Sequence, residues 1–342
     1  MVWVFLLTVF VIACVGTAWL RRYALARELM DVPNARSSHD VPTPRGGGLA
    51  VVIAFEAALL AGWVMGLIDG DYVWGLGGAG ALVALLGFLD DHGHIPARWR
   101  LAGHFLASGW LLFSLGNLPP IVLGEAVVLS GMVAWLVTWF YLVWLLNLYN
   151  FMDGIDGIAG VEAVTVCLGG ALVSWAAGLT DGSLLPLLFG VAMMGFLVWN
   201  FPPARIFMGD VGSGFSGLIL GGLSLYATVQ APQLLWAWLI LLGVFIVDAT
   251  VTLLRRVLAG YPPHQAHRSH GYQYASRRFR SHRVVTLAVG VINVVWLMPL
   301  AVFVSLGWLS GLIGLVIAYV PLVGLAWLFR SGDVRFQDLS GI

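Results

Sequence analysis

Charge is scarce in this 342-residue chain, and one kind of charged residue is missing altogether. Only 10% of the residues are charged, and all seventeen cations are arginine because the sequence contains no lysine. Soluble domains carry roughly 25% charged residues, whereas 60% of this chain is hydrophobic. The composition excludes a soluble globular protein and predicts an all-α polytopic integral membrane protein.

Cysteine is nearly absent as well. Cys14 and Cys167 both lie in apolar runs, where they are interpreted as small core or lipid-facing residues, so they give little indication of the redox compartment. The net charge is zero, and we expect no nucleic-acid partner. Basic residues are also missing before the first apolar run, which Arg21 and Arg22 follow directly. We therefore expect that run to be a span rather than a cleaved signal peptide.

Long apolar runs recur along the whole chain and predict eleven membrane spans in a single domain, residues 1–342. A span needs about 20 apolar residues. The predicted spans are 2–20, 47–68, 73–89, 101–117, 130–148, 158–178, 184–201, 215–230, 233–254, 284–307 and 309–329. A segment between two of them, 118–129, predicts a short extracytoplasmic β-hairpin.

The arginines orient the predicted spans. All of them fall in alternate connections, which are 21–46, 90–100, 149–157, 202–214, 255–283 and the tail from Arg330. The positive-inside rule places these segments in the cytoplasm, with the N-terminus outside and the C-terminus inside. We expect the first five of them to form the active site.

The sequence NLYNFMDGIDGIAG places three oxygen-bearing side chains, Asn150, Asp153 and Asp156, between two apolar runs. An acid near a membrane span is a functional candidate, because it costs roughly 2.5–3.5 kcal/mol at the bilayer centre. In a helix, a spacing of three would keep these side chains on one face, and such a group suits Mg²⁺. The alternative is a polar loop whose aspartates cap a helix.

Two further segments carry isolated acids. Asp90 and Asp91 stand side by side at the cytoplasmic end of the third predicted span, where one could bind a metal and the other accept a proton. Asp210 lies among glycines directly before another span, and we interpret it as a metal ligand rather than as a helix cap alone. For the paired acids the alternative is ordinary interfacial anchoring.

Cationic groups on the same side could bind phosphate. The candidates are Arg45 beside a glycine triplet, Arg98, Arg100, His267, Arg268 and His270. On composition alone, the segment with Arg45 and the glycines is better explained as a flexible connector. A zinc site in the histidine loop is a rival interpretation, although that loop has no cysteine or acid to complete it. Lipid-headgroup anchoring is the alternative for the arginines.

In this order, the paired aspartates, the Asn150 motif, Asp210 in FMGD and the His267–His270 loop resemble the polyprenyl-phosphate N-acetylaminosugar-1-phosphate transferases, glycosyltransferase family 4, with its MraY and WecA branches. The resemblance extends from PNARSSH to HRSHGYQ. It implies transfer of a sugar-1-phosphate from a UDP-N-acetylaminosugar to undecaprenyl phosphate, with release of UMP. It also implies Mg²⁺ (or Mn²⁺) as cofactor and a cytoplasm-facing site in the bacterial inner membrane.

The resemblance implies a role for each candidate residue. Asn150 and Asp210 match metal-holding positions, Asp90 matches the base that deprotonates the lipid phosphate with Asp91 beside it, and the other catalytic positions are Asp153 and Asp156, on the nucleotide and sugar side. Arg98 and Arg100 match basic positions near the lipid phosphate. His267 and His270 match the ends of a histidine motif that contacts the diphosphate.

Two departures from the family pattern favour the branch that initiates O-antigen or other surface polysaccharides. Arg268 and Ser269 interrupt the histidines, and the lysine that is usual in the peptidoglycan-precursor branch is absent. The alternatives are a phospho-MurNAc-pentapeptide transferase, a non-catalytic scaffold, and an ion-coupled transporter suggested by Glu56 and Asp248 within spans. Asp248 lies seven residues before Arg255, on the same helix face, so we expect the two to form a structural pair. Transporter sites typically lie between repeats, and no repeat is visible here. Membrane lipids are expected partners, and a homodimer is left open.

Overall fold

The structure is a computed structural model, and it describes residues 2–33, 38, 40–93, 95–116, 118–123, 127–262 and 267–333. Helices dominate these residues, as the composition predicts. Their bounds are α1 (Val2–Ala26), α2 (Gly48–Val64), α3 (Gly70–Gly93), α4 (Ala97–Leu115), α5 (Gly131–Met152), α6 (Ile158–Ala176), α7 (Asp181–Asn200), α8 (Asp210–Gln230), α9 (Leu234–Leu241), α10 (Gly243–Leu258), α11 (Gly271–Phe279), α12 (His282–Ser305) and α13 (Gly311–Leu328).

Each predicted span overlaps one of these helices or, for the ninth, the pair α9 and α10. Among the described residues, eight helices are long and apolar enough to cross a membrane, and α9 with α10 would make a ninth span bent by 70°. Two helices that overlap predicted spans are not among these eight. They are α2, which has only 17 residues, and α4. The chain is thus a multi-pass membrane protein, while the number eleven and the orientation remain predictions.

Two short antiparallel strand pairs accompany the helices. Strand β1 (Met30–Asp31) pairs with β2 (Thr43–Pro44), which closes the loop after α1. The backbone beyond β2 then lies against the segment before α8, because Phe207 N–H donates to the Pro44 carbonyl at 2.8 Å and Gly47 N–H to the Phe207 carbonyl at 2.9 Å. The second pair, β3 (Ile121–Leu123) and β4 (Val127–Leu129), lies within the predicted hairpin segment.

Helix α8 is the centre of the bundle and packs against α2, α3, α5 and α9. Small residues make this possible, since a side chain at Gly217 would meet the Leu146 Cα at 2.7 Å and the Leu145 carbonyl oxygen at 2.8 Å on α5. The first turn of α8 is equally tight against the start of α2, where a Cβ on Gly48 would come within 2.8 Å of the Gly212 nitrogen. Asp210 therefore stands at the end of a rigidly packed helix.

A substitution at this close contact should destabilise the fold. We expect Gly48→Ala to lower the unfolding free energy by about 1–3 kcal/mol, the usual effect of overpacking a core, because the obstructing atoms are backbone. Gly324→Ala on α13 is the matched control, since nothing lies within 4 Å of its new Cβ. Thermal unfolding in detergent should show a lower Tm for the first variant only. A Tm of Gly48→Ala equal to that of the wild type would contradict the packing argument.

Candidate active site

One pocket of about 570 Å³ opens where the ends of α3, α5 and α8 meet the loops between the helices. Each of the five segments expected to form the site contributes to its wall, for example Arg45, Asp91, Asn150, Asp210 and His282. The carboxylates in the wall are Asp31, Asp91, Asp153, Asp156 and Asp210, against one arginine. The pocket is therefore rich in negative charge.

Arg100 joins two acids from different helices. Its Nη1 donates to the Asp90 carboxylate and to Asp210 Oδ2, the latter at 3.2 Å. The other Asp90 oxygen accepts from Ile95 N–H at 2.6 Å, in the tight connection between α3 and α4. The Asp90 side chain is only 7% exposed, whereas Asp210 is 38% exposed and lines the pocket. Asp90 and Arg100 lie behind Asp210, outside the pocket wall.

Asp91 caps the helix that carries Asp210. Its two carboxylate oxygens accept from the N–H groups of Asp210 and Val211, both at 3.2 Å, at the start of α8. Arg45 donates to the Asp91 carbonyl, and its guanidinium lies 3.5 Å from Asp91 Oδ1. A carboxylate at a helix N-terminus satisfies otherwise unpaired N–H groups and favours the helix dipole. The adjacent acids thus have different partners, and those of Asp91 are the first N–H groups of the helix that carries Asp210.

Asn150 reaches Asp210 from α5. Its Nδ2 donates to Asp210 Oδ1 at 2.9 Å and to Ser213 Oγ at 2.8 Å. The two residues predicted to hold the metal, sixty positions apart, are therefore in direct contact. Ser213, one turn beyond Asp210 on α8, is a site residue that the sequence reasoning did not select.

Asp153 differs from the other acids of the pocket. It follows α5 directly, it is half-buried, and none of the side-chain hydrogen bonds in the described part of the chain reaches its carboxylate. Burial raises the pKa of Asp153 from its ordinary value of 3.8 to about 7, and the neighbouring Asp210, Asp156 and Asp91 add to the effect. A positively charged partner would therefore stabilise the ionised form of Asp153.

Asp156 connects three segments of the chain. Its carboxylate accepts from Ala204 N–H at 2.9 Å and lies 3.1 Å from His282 Nδ1, while its backbone carbonyl accepts from the Thr286 hydroxyl at 2.7 Å. The other ring nitrogen of His282 lies 3.0 Å from the Ser38 carbonyl. These contacts, which we call the Asp156–His282 clasp, hold the DGIDG loop (residues 153–157) against α12. His282 is not among the residues that the sequence predicts for the site, because its isolated position after the arginines offers no signal.

The predicted histidine pair lies beside the pocket rather than in its wall. His267 and His270 stack with ring centroids 4.9 Å apart, and His270 is buried with Nδ1 4.0 Å from Asp248. Burial lowers the pKa of both, to about 3 for His267. The lowered pKa values favour the neutral form of both rings, which would offer a phosphate hydrogen bonds but no charge. Gln273, three residues on, lines the pocket instead.

The remaining predicted cations are spread out. Arg98 is exposed, with its guanidinium 5.9 Å from the centroid of the neighbouring Trp99 ring. Arg268 lines a second groove next to the pocket. The structure therefore brings Arg45 and Arg100 to the acids but not these two.

Two acids within spans, Asp248 and Glu162, accept hydrogen bonds from other segments of the chain. Asp248, expected to pair with Arg255, instead accepts from Gly271 and Tyr272 N–H at 2.8 and 2.9 Å and so caps α11. The expected pairing was wrong, because the first N–H groups of α11 occupy the Asp248 carboxylate. Arg255 instead donates to the Ser331 carbonyl at 2.6 Å. Glu56 lies against Gly77 and Gly80 of α3. Glu162, fully buried on α6, was overlooked and accepts from Asn293 Nδ2 at 2.7 Å.

The pocket fits a magnesium ion in its chemistry. Mg²⁺ is usually bound through one or two carboxylates together with substrate phosphates, and Asp210, Asp153 and the Asn150 amide oxygen offer such a set. In the part of the chain that the structure describes, no three His, Cys, Asp or Glu side chains form a complete metal site. Phosphate and water oxygens would have to complete the coordination.

Comparison with known proteins places the chain among enzymes of one kind. The glycosyl transferase family 4 model matches residues 73–228. A decaprenyl-phosphate N-acetylglucosaminephosphotransferase of Mycolicibacterium smegmatis is 29% identical, covering 97% of this chain and 90% of its own length. A probable undecaprenyl-phosphate N-acetylglucosaminyl 1-phosphate transferase of Bacillus subtilis is 30% identical, covering 89% and 85%. A phospho-N-acetylmuramoyl-pentapeptide-transferase of Chlamydia muridarum is 28% identical, covering 74% and 83%.

The raised pKa of Asp153 makes stability depend on pH. Because the folded state prefers protonated Asp153, ionisation destabilises the fold progressively from about pH 4 to pH 7 and fully above that. We expect Asp153→Asn, with EDTA present, to have a higher Tm than the wild type at pH 8 and a smaller advantage at pH 5. Asp181→Asn, an exposed acid at the start of α7, is the control. A constant Tm difference across this range would contradict the assignment.

Proposed function

Because this chain belongs to the polyprenyl-phosphate aminosugar-1-phosphate transferase superfamily, we propose that it transfers an N-acetylated aminosugar-1-phosphate from a UDP-sugar to undecaprenyl phosphate, releasing UMP. The general reaction, sugar-phosphate transfer to a polyprenyl phosphate, follows from the family and its relatives. The observation that carries the finer proposal is the contact between Asn150 and Asp210 in a pocket that collects acids from the ends of membrane-crossing helices.

The charges of the substrates explain this arrangement. Both reactants are anionic, so their approach requires positive charge fixed in place before the reaction. We propose that Asp210, Asn150 and Asp153 hold Mg²⁺ against the diphosphate. When bound, the ion supplies charge neutralisation and polarises a phosphoryl oxygen. Arg45, which contacts Asp91 and lines the same pocket, would contribute positive charge toward the diphosphate.

Asp90 and Arg100 serve the acceptor in this proposal. Arg100 donates a hydrogen bond to the Asp90 carboxylate in the structure. Asp90 would therefore become a stronger base only when Arg100 turns its N–H groups towards an incoming phosphate. The lipid phosphate oxygen then attacks the β-phosphorus, the bond from that phosphorus to the bridging oxygen breaks, and UMP leaves. Any proton on the lipid phosphate passes to Asp90. We favour this direct attack over an aspartyl intermediate because phosphoryl transfer mainly requires positioning and charge neutralisation.

The biological step proposed is the initiation of O-antigen or another surface polysaccharide at the bacterial inner membrane, with the site facing the cytoplasm. The interrupted histidine motif and the absence of lysine support this branch. The names of two relatives point to N-acetylglucosamine. UDP-N-acetylglucosamine, its galacto isomer and 6-deoxy N-acetyl sugars are the donors to compare.

The donor is identified by the release of UMP. We expect purified protein with Mg²⁺ and undecaprenyl phosphate to release UMP from at least one UDP-N-acetylaminosugar, and none without the lipid. UDP-MurNAc-pentapeptide belongs in the same panel, because turnover of this donor alone would place the chain in the peptidoglycan branch. Folded protein that releases no lipid-dependent UMP from any donor would refute the proposal.

Metal removal and Asp210 test the ion site. EDTA should abolish UMP release, and Mg²⁺ or Mn²⁺ should restore it. Asp210→Asn should lower kcat roughly 10²–10³-fold, comparable to the loss of one preorganised electrostatic group. Asp181→Asn is distant from the pocket and should retain wild-type turnover. Full activity of Asp210→Asn at saturating Mg²⁺ would remove Asp210 from the ion site.

A further inference from the structure

A second groove, of about 820 Å³, adjoins the acidic pocket. The two share a wall formed by Ser38, Asp156, Phe207 and His282. The groove is also lined by four arginines between positions 268 and 283, which are Arg268, Arg277, Arg280 and Arg283. The two cavities therefore have opposite charge although they are neighbours.

The balance of charge in the groove favours an anion. Asp40 and Asp156 are its carboxylates, and Asp156 is already engaged by His282 and by Ala204 N–H. Within the described residues, no carboxylate lies within ion-pair distance of Arg277, Arg280 or Arg283. Clustered guanidinium groups repel one another, so an anion with several acceptor oxygens would stabilise them.

The proposed transfer reaction does not account for these arginines. An N-acetylated sugar is neutral, and the donor diphosphate already has Arg45 and the proposed ion in the acidic pocket. The groove also lies at a helix end suited to a membrane interface, because Arg283 is the second residue of α12, a helix long and apolar enough to span. Basic residues at such a position attract anionic lipid headgroups.

We propose that this groove is a second anion site, which binds the phosphate group of an anionic phospholipid headgroup beside the catalytic pocket. The arginines of the groove contact the phosphate oxygens, and the Asp156–His282 clasp forms the partition between the two sites. An anion bound in the groove would lie against Asp156 and His282 and so help to hold these two residues in place. Free phosphate has the same chemistry, and the experiment separates the two sources.

The test measures binding on the full chain by thermal unfolding in detergent, which does not depend on transferase activity. Short-chain phosphatidylglycerol is compared with phosphatidylcholine, and inorganic phosphate with chloride at equal ionic strength. The variant is Arg280→Asn with Arg283→Gln. Asparagine suits the positive φ of 51° at position 280. The matched control is Arg278→Gln, an exposed arginine on α11 that does not line the groove.

We expect phosphatidylglycerol to raise the Tm of the wild type at lower concentration than phosphatidylcholine does. The double variant should lose roughly fivefold in apparent affinity for each arginine removed, and Arg278→Gln should match the wild type. Stabilisation by inorganic phosphate that is lost in the same variant would also support the site and identify a soluble anion as a ligand.

Two results would overturn the proposal. One is an identical lipid and phosphate response of the wild type and the double variant, and the other is an equal loss in Arg278→Gln, which would indicate unspecific surface charge. Since Arg283 lies 5.7 Å over the Phe201 ring, the double variant could also unfold more readily. Lysine at both positions keeps the charge and should keep most of the phosphatidylglycerol response, and failure to do so in folded protein would contradict the charge argument.

Discussion

Five carboxylates surround one pocket at the ends of membrane-crossing helices, and their mutual repulsion is the constraint on which the site depends. The structure offsets this repulsion through a few specific partners. Arg100 bridges Asp90 and Asp210, and Asp91 accepts the first N–H groups of α8. Both arrangements require the start of α8 to lie within hydrogen-bond distance of α3. The glycine contacts that draw α8 towards α2 and α5 are therefore part of the electrostatics of the site as well as of its packing.

Two groups can be distinguished by their partners among five aspartates in and near the pocket, which are Asp91, Asp153, Asp156, Asp210 and Asp248. Asp91, Asp156 and Asp248 hold the architecture, because each accepts backbone N–H groups from another segment. Asp153 and Asp210 face the pocket with capacity left for a cation. Residue type and order in the chain do not separate these groups, since all five are solitary or paired aspartates beside apolar runs. A carboxylate that caps a neighbouring helix also fixes where that helix begins, so the positioning acids determine where the others point.

Sequence reasoning succeeded where one-dimensional patterns carry the information. Apolar runs located the helices, and the order of the acids indicated the family. It could not identify His282 as the partner of Asp156, because the two are 126 positions apart and meet only through the packing of α12 on the DGIDG loop. It could not separate Arg100 from Arg98 either, since two positions on a helix differ by about 200° in direction and only one of them faces Asp90. The predicted pairing of Asp248 with Arg255 was wrong for a similar reason, because the N–H groups that Asp248 accepts belong to α11 and not to the helix that carries both residues.

The juxtaposition of an acidic pocket and a basic groove suits an enzyme that must bring a soluble anion to an anionic lipid. A uniformly basic site would attract both reactants but would hold the products equally well. In the proposed reaction, a site with excess carboxylates would bind the donor diphosphate only together with a cation, so its affinity would depend on an ion that can leave with the product. Positive charge in the adjoining groove can raise the local concentration of anions without contacting the reacting phosphorus. The wall between the two cavities is formed in part by Asp156 and His282, whose carboxylate oxygen and ring Nδ1 lie 3.1 Å apart, so the acid that the cavities share already has a partner.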